Sequence, residues 1–178
     1  MKKRVSLSLI ALLALCVIAR AQNDSDELST IRKSLRENLS QAMPGWTNRS
    51  IEPIEGSRNV LIEQYESGNI IVKIVVTQYP DEDKAAVGYK LFKSNLKTEE
   101  QAQNRGQGRT LHLIKEELHG VGDEGFVLDV RGSEAIAFRR GKLMVNISVP
   151  EPGDNKDVFF SRRFAQLVLK ALKDWQKS

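Results

Sequence analysis

The segment Ile70-Ile71-Val72-Lys73-Ile74-Val75-Val76 is apolar at both strand parities. Ile70, Val72, Ile74 and Val76 take one side, Ile71 and Val75 the other. A strand apolar on both faces needs cover on both, so this one is expected in the interior of a sheet within a layered fold. It runs from Asn69 to Tyr79. Its partner, Asn59 to Tyr65, lies across the turn Glu66-Ser67-Gly68-Asn69. That is hairpin-turn chemistry. With Ser67-Gly68 central, Tyr65 opposes Ile70, Glu63 opposes Val72 and Leu61 opposes Ile74.

Three helical stripes supply the cover. From Asp26 to Ala42, residues Leu28, Ile31, Leu35, Leu39 and Ala42 recur at helical spacing, with Asp24 or Ser25 as cap and Met43-Pro44-Gly45 as stop. Trp46 to Pro53 reads as irregular chain or a short edge strand. Pro80 ends the central strand, and Asp81 caps a helix from Glu82 to Lys97 with the stripe Ala85, Tyr89, Phe92 and Leu96. Glu99 to Arg109, rich in Gln, Asn and Gly, reads as a mobile loop. Asp154 or Asn155 caps the last helix, which reaches Trp175 and turns Phe160, Phe164, Leu167, Val168, Ala171 and Trp175 inward.

Between the second and third stripes lie candidate strands Thr110–Glu117, Gly125–Val130, Ala135–Arg140 and Lys142–Val149. Pairing Phe126 with Phe138 and Leu128 with Ile136 keeps all four on one face and sets Glu124 across from Arg140. The next turn, at Arg140-Gly141, pairs Phe138 with Leu143. The fold class is therefore α+β: a mainly antiparallel sheet of about five to seven strands with three helices on its faces. Pro80, Lys84 and Phe92 recur as Pro152, Lys156 and Phe164, but three positions do not establish a duplication.

The first 21 residues differ from the rest. Lys2-Lys3-Arg4 precedes an apolar run from Val5 to Ala19, and Ala19-Arg20-Ala21 is a small-x-small cleavage pattern. These are the parts of an export signal cut between Ala21 and Gln22. The run is about fifteen residues, short of the roughly 20 that span a bilayer. Lipidation of Cys16 is disfavoured by Leu15 before it. Residues 22–178 then form one domain with a flexible start at 22–26, located in the bacterial periplasm or outside the cell. Cys16 is the one cysteine, so the mature chain has no disulfide or thiol chemistry. Four of the 27 basic residues lie in the signal, which leaves 23 basic against 23 acidic. A balanced body disfavours nucleic acid as partner. Asn23, Asn38, Asn48 and Asn146 head sequons, which carry no meaning in a bacterium.

Chemical motifs are sparse. Gly120-Val121-Gly122-Asp123-Glu124-Gly125 matches G-x-G-x-x-G literally, but a strand follows it where a dinucleotide site needs a helix. A glycine-rich turn launching a strand is the better reading. His112 and His119, with Glu116 and Glu117 between, lack any metal-ligand spacing. No nucleophile elbow is present. Asp129 is the acidic residue to watch, and a solvated or paired role is favoured for it. Arg139-Arg140 with Lys142, and Arg162-Arg163, read as solvated positions. No cofactor is implied.

Asp123, Glu124, Arg139 and Arg140 are the candidate ligand-binding residues, set against an architectural role for the same turn. The segment from Gly120 to Phe126, with Ile136-Ala137-Phe138-Arg139-Arg140-Gly141-Lys142, Val145 and Ile147, resembles a pattern in small exported bacterial proteins of uncharacterised function. There a GxGDEA turn leads to a strand and an FRRGN hairpin; Gly125 and Lys142 stand here for alanine and asparagine. The resemblance covers about thirty residues. It implies an exported domain and transfers no catalytic residue. The element order also looks like a PsbP-like α/β/α sandwich. The expectation is an exported, non-catalytic binding protein with a protein or small-molecule partner in the cell envelope. It has no membrane span after processing. A small secreted hydrolase and an apolar-ligand carrier are the alternatives.

Overall fold

The structure, a computed structural model, describes residues 24–51, 57–104, 113–130, 133–149 and 158–175. The expected export signal with its Ala21–Gln22 junction, His112 and the expected Asp154/Asn155 cap lie outside the described residues. The elements run α1 (Asp24–Ala42), β1 (Thr47–Ile51), β2 (Val60–Ser67), β3 (Ile70–Gln78), α2 (Glu82–Asn104), β4 (Ile114–Leu118), β5 (Glu124–Val130), β6 (Ser133–Arg140), β7 (Leu143–Ser148) and α3 (Val158–Trp175). The fold is α+β. All seven strands join one antiparallel sheet in the order β1-β2-β3-β7-β6-β5-β4.

Short loops set the register. In the β2–β3 hairpin Ser67 pairs with Ile70, and in β6–β7 Arg140 pairs with Leu143. Each leaves a two-residue loop that opens with a glycine at positive φ, Gly68 or Gly141. The glycine takes the first loop position, not the second, so Tyr65 opposes Val72 and Phe138 opposes Val145. These shifts of two preserve every face assignment, because side chains alternate with period two.

The β5–β6 register corrects the expected pairing by one residue. Val130 pairs with Ser133, so residues 131 and 132 alone connect the strands, and Phe126 meets Ala137 while Gly125 meets Phe138. A shift of one exchanges faces. Phe126 and Leu128 therefore join the layer under α2, and Ile136 and Phe138 join the opposite layer. Ala135 and Ala137 share the α2 side with Phe126, Leu128 and Met144, so small side chains lie among large ones there.

Two cores result. The larger packs α1 and α3 on one face through Leu28, Ile31, Leu35, Leu39, Phe164, Val168 and Leu172. Trp46 meets the Phe164 ring edge-on at 4.9 Å, and Ser34 Oγ donates to the Ala171 carbonyl at 2.9 Å across the helix pair. The smaller core sets Ala85, Tyr89, Phe92 and Leu96 of α2 against β5, β6 and β7. Asp81 Oδ1 accepts from the Lys84 amide at 2.7 Å, the expected cap. This helix runs through Asn104, so the loop expected from Glu99 is helical for its first six residues. Glu99-Glu100-Gln101-Ala102-Gln103 are helix formers, and no Gly or Pro intervenes before Gly106. Residues 105–109 lie outside the described residues.

The two-sided burial expected of β3 holds only in part. The strand is interior, third of seven, and Val72, Ile74 and Val76 are fully buried. On the other face Ile71 and Val75 stay partly exposed, because α2 lies over β6 and β7. The strands covered on both faces are β5, β6 and β7, which bury side chains at both parities.

Close packing makes two results predictable. Phe164→Ala and Phe92→Ala, each removing a buried ring, should each cost about 3–5 kcal/mol in urea denaturation. A Cβ on Gly88 would lie 2.4 Å from Tyr79 Oη. Gly88→Ala should therefore cost about 1–3 kcal/mol. Adding Tyr79→Phe, which removes the oxygen, should recover part of that loss.

Candidate functional site

The turn before β5 brings all four candidate residues together. Gly122 has φ +70°, and a Cβ there would stand 2.3 Å from the Arg139 carbonyl oxygen. Only glycine lets the chain pass this close and turn back into a strand. The Asp123 amide then donates to that carbonyl at 2.8 Å. The Asp123 carboxylate accepts from the Gly141 amide at 2.7 Å and Arg140 Nη1 at 3.0 Å, and pairs with Arg139 Nη1 at 3.2 Å. Arg139 Nε donates to Glu124 Oε1 at 3.1 Å, and its Nη1 to the Gly141 carbonyl at 3.1 Å.

The expected Glu124–Arg140 pair is thus replaced. Glu124 takes Arg139, its cross-strand partner in the shifted register, and Arg140 takes Asp123. Arg139 is also less solvated than expected, its side chain 13% exposed. Two carboxylates face two guanidiniums, so the charges balance within the cluster. The arrangement fastens the glycine turn to the β6–β7 loop. Tyr89 lies beside it on the α2 side. Burial, and then the nearby Glu117 and Glu124 carboxylates, push the Tyr89 phenol well above its ordinary value, so it stays neutral.

Other polar clusters carried weaker sequence signals. Glu134, nearly buried, accepts from Ser161 Oγ at 3.1 Å and Arg162 Nε at 3.4 Å, with Lys115 Nζ 3.7 Å away. Arg162 also pairs with Glu116. It links the start of α3 to the sheet while its side chain stays 45% exposed, so the Arg162-Arg163 doublet lies at the surface as expected. Glu27 of α1 accepts from Lys142 Nζ at 2.6 Å and Gln78 Nε2 at 2.5 Å. Glu63 is wholly buried beside Arg32, Arg36 and Asn48. Its signal was parity: it shares a strand face with Leu61 and Tyr65, where a carboxylate needs partners. Those partners sit on another element, so strand spacing could not name them.

A polar groove of about 400 Å³ lies between the C-terminal half of α2 and β4, lined by Lys97, Glu100, Gln101, Ile114, Lys115, Glu116 and Glu117. His119 is exposed. Among the described residues no three His, Cys, Asp or Glu side chains are grouped to hold a metal, and no helix is long and apolar enough to cross a membrane. Asn146 is buried, and Asn48 donates to Glu63. The Asp129 side chain lies outside the described residues. Compared with known proteins, the chain matches no family model, no curated protein and no solved structure.

Two glycines separate the backbone effect from the contact effect. Gly120 also has positive φ, +79°, but open space around its Cβ position. Gly120→Ala should cost about 1–2 kcal/mol, the left-handed penalty. Gly122→Ala carries that penalty and a backbone collision, so it should lose roughly a further 1–3 kcal/mol. Denaturant midpoints of the two variants check the order.

Proposed function

We propose that this chain is exported to the bacterial periplasm or beyond and acts there as a non-catalytic binding protein. Its contact surface is the half of the sheet that α2 leaves open, and its partner is a polypeptide. The carrying observation is the state of β1, β2 and β3 on the α2 side. Ile51, Val60, Ile71 and Val75 are all partly exposed there, with Arg49, Gln64, Glu66 and Lys73 among them. Apolar side chains interleaved with polar ones on a broad, shallow face suit a protein partner better than a small molecule, which needs concavity. The edge strand β1 adds to this. Among the described residues no strand pairs with its outer side, so it is open to an added strand.

The apolar-carrier alternative asks for an enclosed apolar cavity, whereas the groove beside β4 is lined mainly by charged residues. For the hydrolase alternative, the rim carboxylates are already neutralised by arginines. The Lys2–Ala21 pattern supports export, and the element order supports the PsbP-like reading of the sandwich.

Processing is checked by intact mass. The exported protein should begin at Gln22 and contain no thiol; a lipidated Cys16 species would contradict it. The surface is checked in cells by placing a photoreactive residue at Ile71 or Val75, and at Lys84 on α2 as control. Discrete cross-linked adducts from the sheet positions alone are expected. Equal patterns from all three, or no adduct from Ile71 and Val75 in folded, exported protein, would remove the reading.

A further inference from the structure

A second site, on the opposite face of the sheet, stands independently of the reading above. Arg32 and Arg36 are one helical turn apart on α1, beside the Ile31, Leu35 and Leu39 stripe, and both reach toward β2. Glu63 receives them there. Arg36 grips the carboxylate with both edges of a fork, Nε to Oε2 at 3.2 Å and Nη2 to Oε1 at 3.1 Å. Arg32 Nε stands 3.0 Å from Oε1, and Asn48 Nδ2 donates to Oε2 at 2.6 Å. Three hydrogen bonds, two from Arg36 and one from Asn48, reach the Glu63 carboxylate, and Arg32 adds its charge at 3.0 Å without a hydrogen bond.

The two arginines are not used up. A guanidinium carries five N–H donors. Arg36 spends two on Glu63 and Arg32 is ion-paired to it without a hydrogen bond, and the other donors have no acceptor among the described residues. Their side chains are 30% and 41% exposed, so both reach solvent in part. Tyr65 adds no charge. Burial, and next the Glu63 carboxylate, push its phenol well above the ordinary value. Its hydroxyl lies buried near Asn48 but outside hydrogen-bond geometry. Glu66 sits on the other face, paired with Arg49, and Lys33 pairs with Glu37 on the solvent side of α1. Among the described residues the cluster therefore holds two positive charges against one negative.

A clamp for α1 accounts for one arginine. Arg36 alone neutralises Glu63 and satisfies both oxygens. Among the described residues the second leaves one positive charge without a counter-charge of its own, held beside a buried carboxylate. Two guanidiniums converging on one buried carboxylate bring their donors close together, which suits a planar oxyanion and leaves little ordering to be done on binding. We infer that Arg32 and Arg36, held by Glu63, form a binding site for one carboxylate group. The charge selects the anion: a surplus of one matches a carboxylate, whereas phosphate near neutral pH brings nearly two.

The test uses the whole mature chain labelled with ¹⁵N and follows the arginine Nε–H resonances. Sodium acetate is titrated at constant ionic strength against sodium chloride. Saturable movement of the Arg32 and Arg36 signals is expected, with Arg49 and Arg139 unmoved and inorganic phosphate binding more weakly. A tripeptide with a free C-terminus, compared with its amidated form, distinguishes a peptide terminus from a free small acid as the source of the group. Tighter binding of the free tripeptide than of acetate assigns the site to a chain end; equal or weaker binding assigns it to small acids. Arg32→Gln leaves the Arg36 fork on Glu63, so the fold should persist while acetate affinity falls about tenfold or more. Movement identical with chloride, no saturable movement, or unchanged affinity in a folded Arg32→Gln variant would overturn the inference.

Discussion

Along β6 and β7, consecutive side chains enter different cores. Val145 and Ile147 join Ile136 and Phe138 beneath α1 and α3, while Met144 joins Ala135 and Ala137 beneath α2. Burial on both faces removes much apolar area from water in a chain of modest length, and it makes register costly to change. The two-residue connection from Val130 to Ser133 sets that register. One residue of slip would carry Phe126 and Leu128 out from under α2 and break the Glu124–Arg139 pairing. The positions of Asp123, Glu124, Arg139 and Arg140 relative to one another follow from this register.

Charged residues then fix where the helices sit. Apolar stripes tolerate some sliding, since hydrophobic attraction has little direction. Carboxylates with several hydrogen bonds do not. Glu27 ties the start of α1 to Gln78 and Lys142, Glu63 holds its middle, and Glu134 holds the start of α3 through Ser161 and Arg162. A buried pair adds little net stability over an apolar replacement, yet removing one partner commonly costs about 3–5 kcal/mol. These contacts therefore act chiefly on alignment, and a misplaced helix would strand a charge.

The placement of α2 also shapes the surface. It covers the β5–β7 half of one face and leaves the β1–β3 half with partly exposed Ile51, Val60, Ile71 and Val75. On the reverse face α1 reaches across to β2 and sets Arg32 and Arg36 on Glu63. Both proposed contacts thus belong to the β1–β3 end of the sheet, while the β4–β7 end holds the better-covered core. The Asp123–Arg140 and Glu124–Arg139 pairs fall in the second region, where they join two turns.

Local pattern was enough for the α+β class, the inward stripes of α1 and α2, the Asp81 cap and the glycine-bearing hairpins, while it left β1 open between irregular chain and an edge strand. Each depends on residues a few positions apart, where periodicity and turn chemistry act directly. The faces of β5 and β6 were not readable that way. Both parities of each strand are apolar, so Phe126 with Phe138 and Phe126 with Ala137 look equally acceptable until a loop length is chosen. The partners of Glu63 were hidden for a related reason. Its parity marked it as a carboxylate in need of neutralisation, but Arg32 and Arg36 are near it only because α1 crosses β2. Sequence alone determined the order of the main helices and strands and which residues want burial. Tertiary packing alone decided which charges meet, because side chains far apart in the chain are brought together by the arrangement of whole elements.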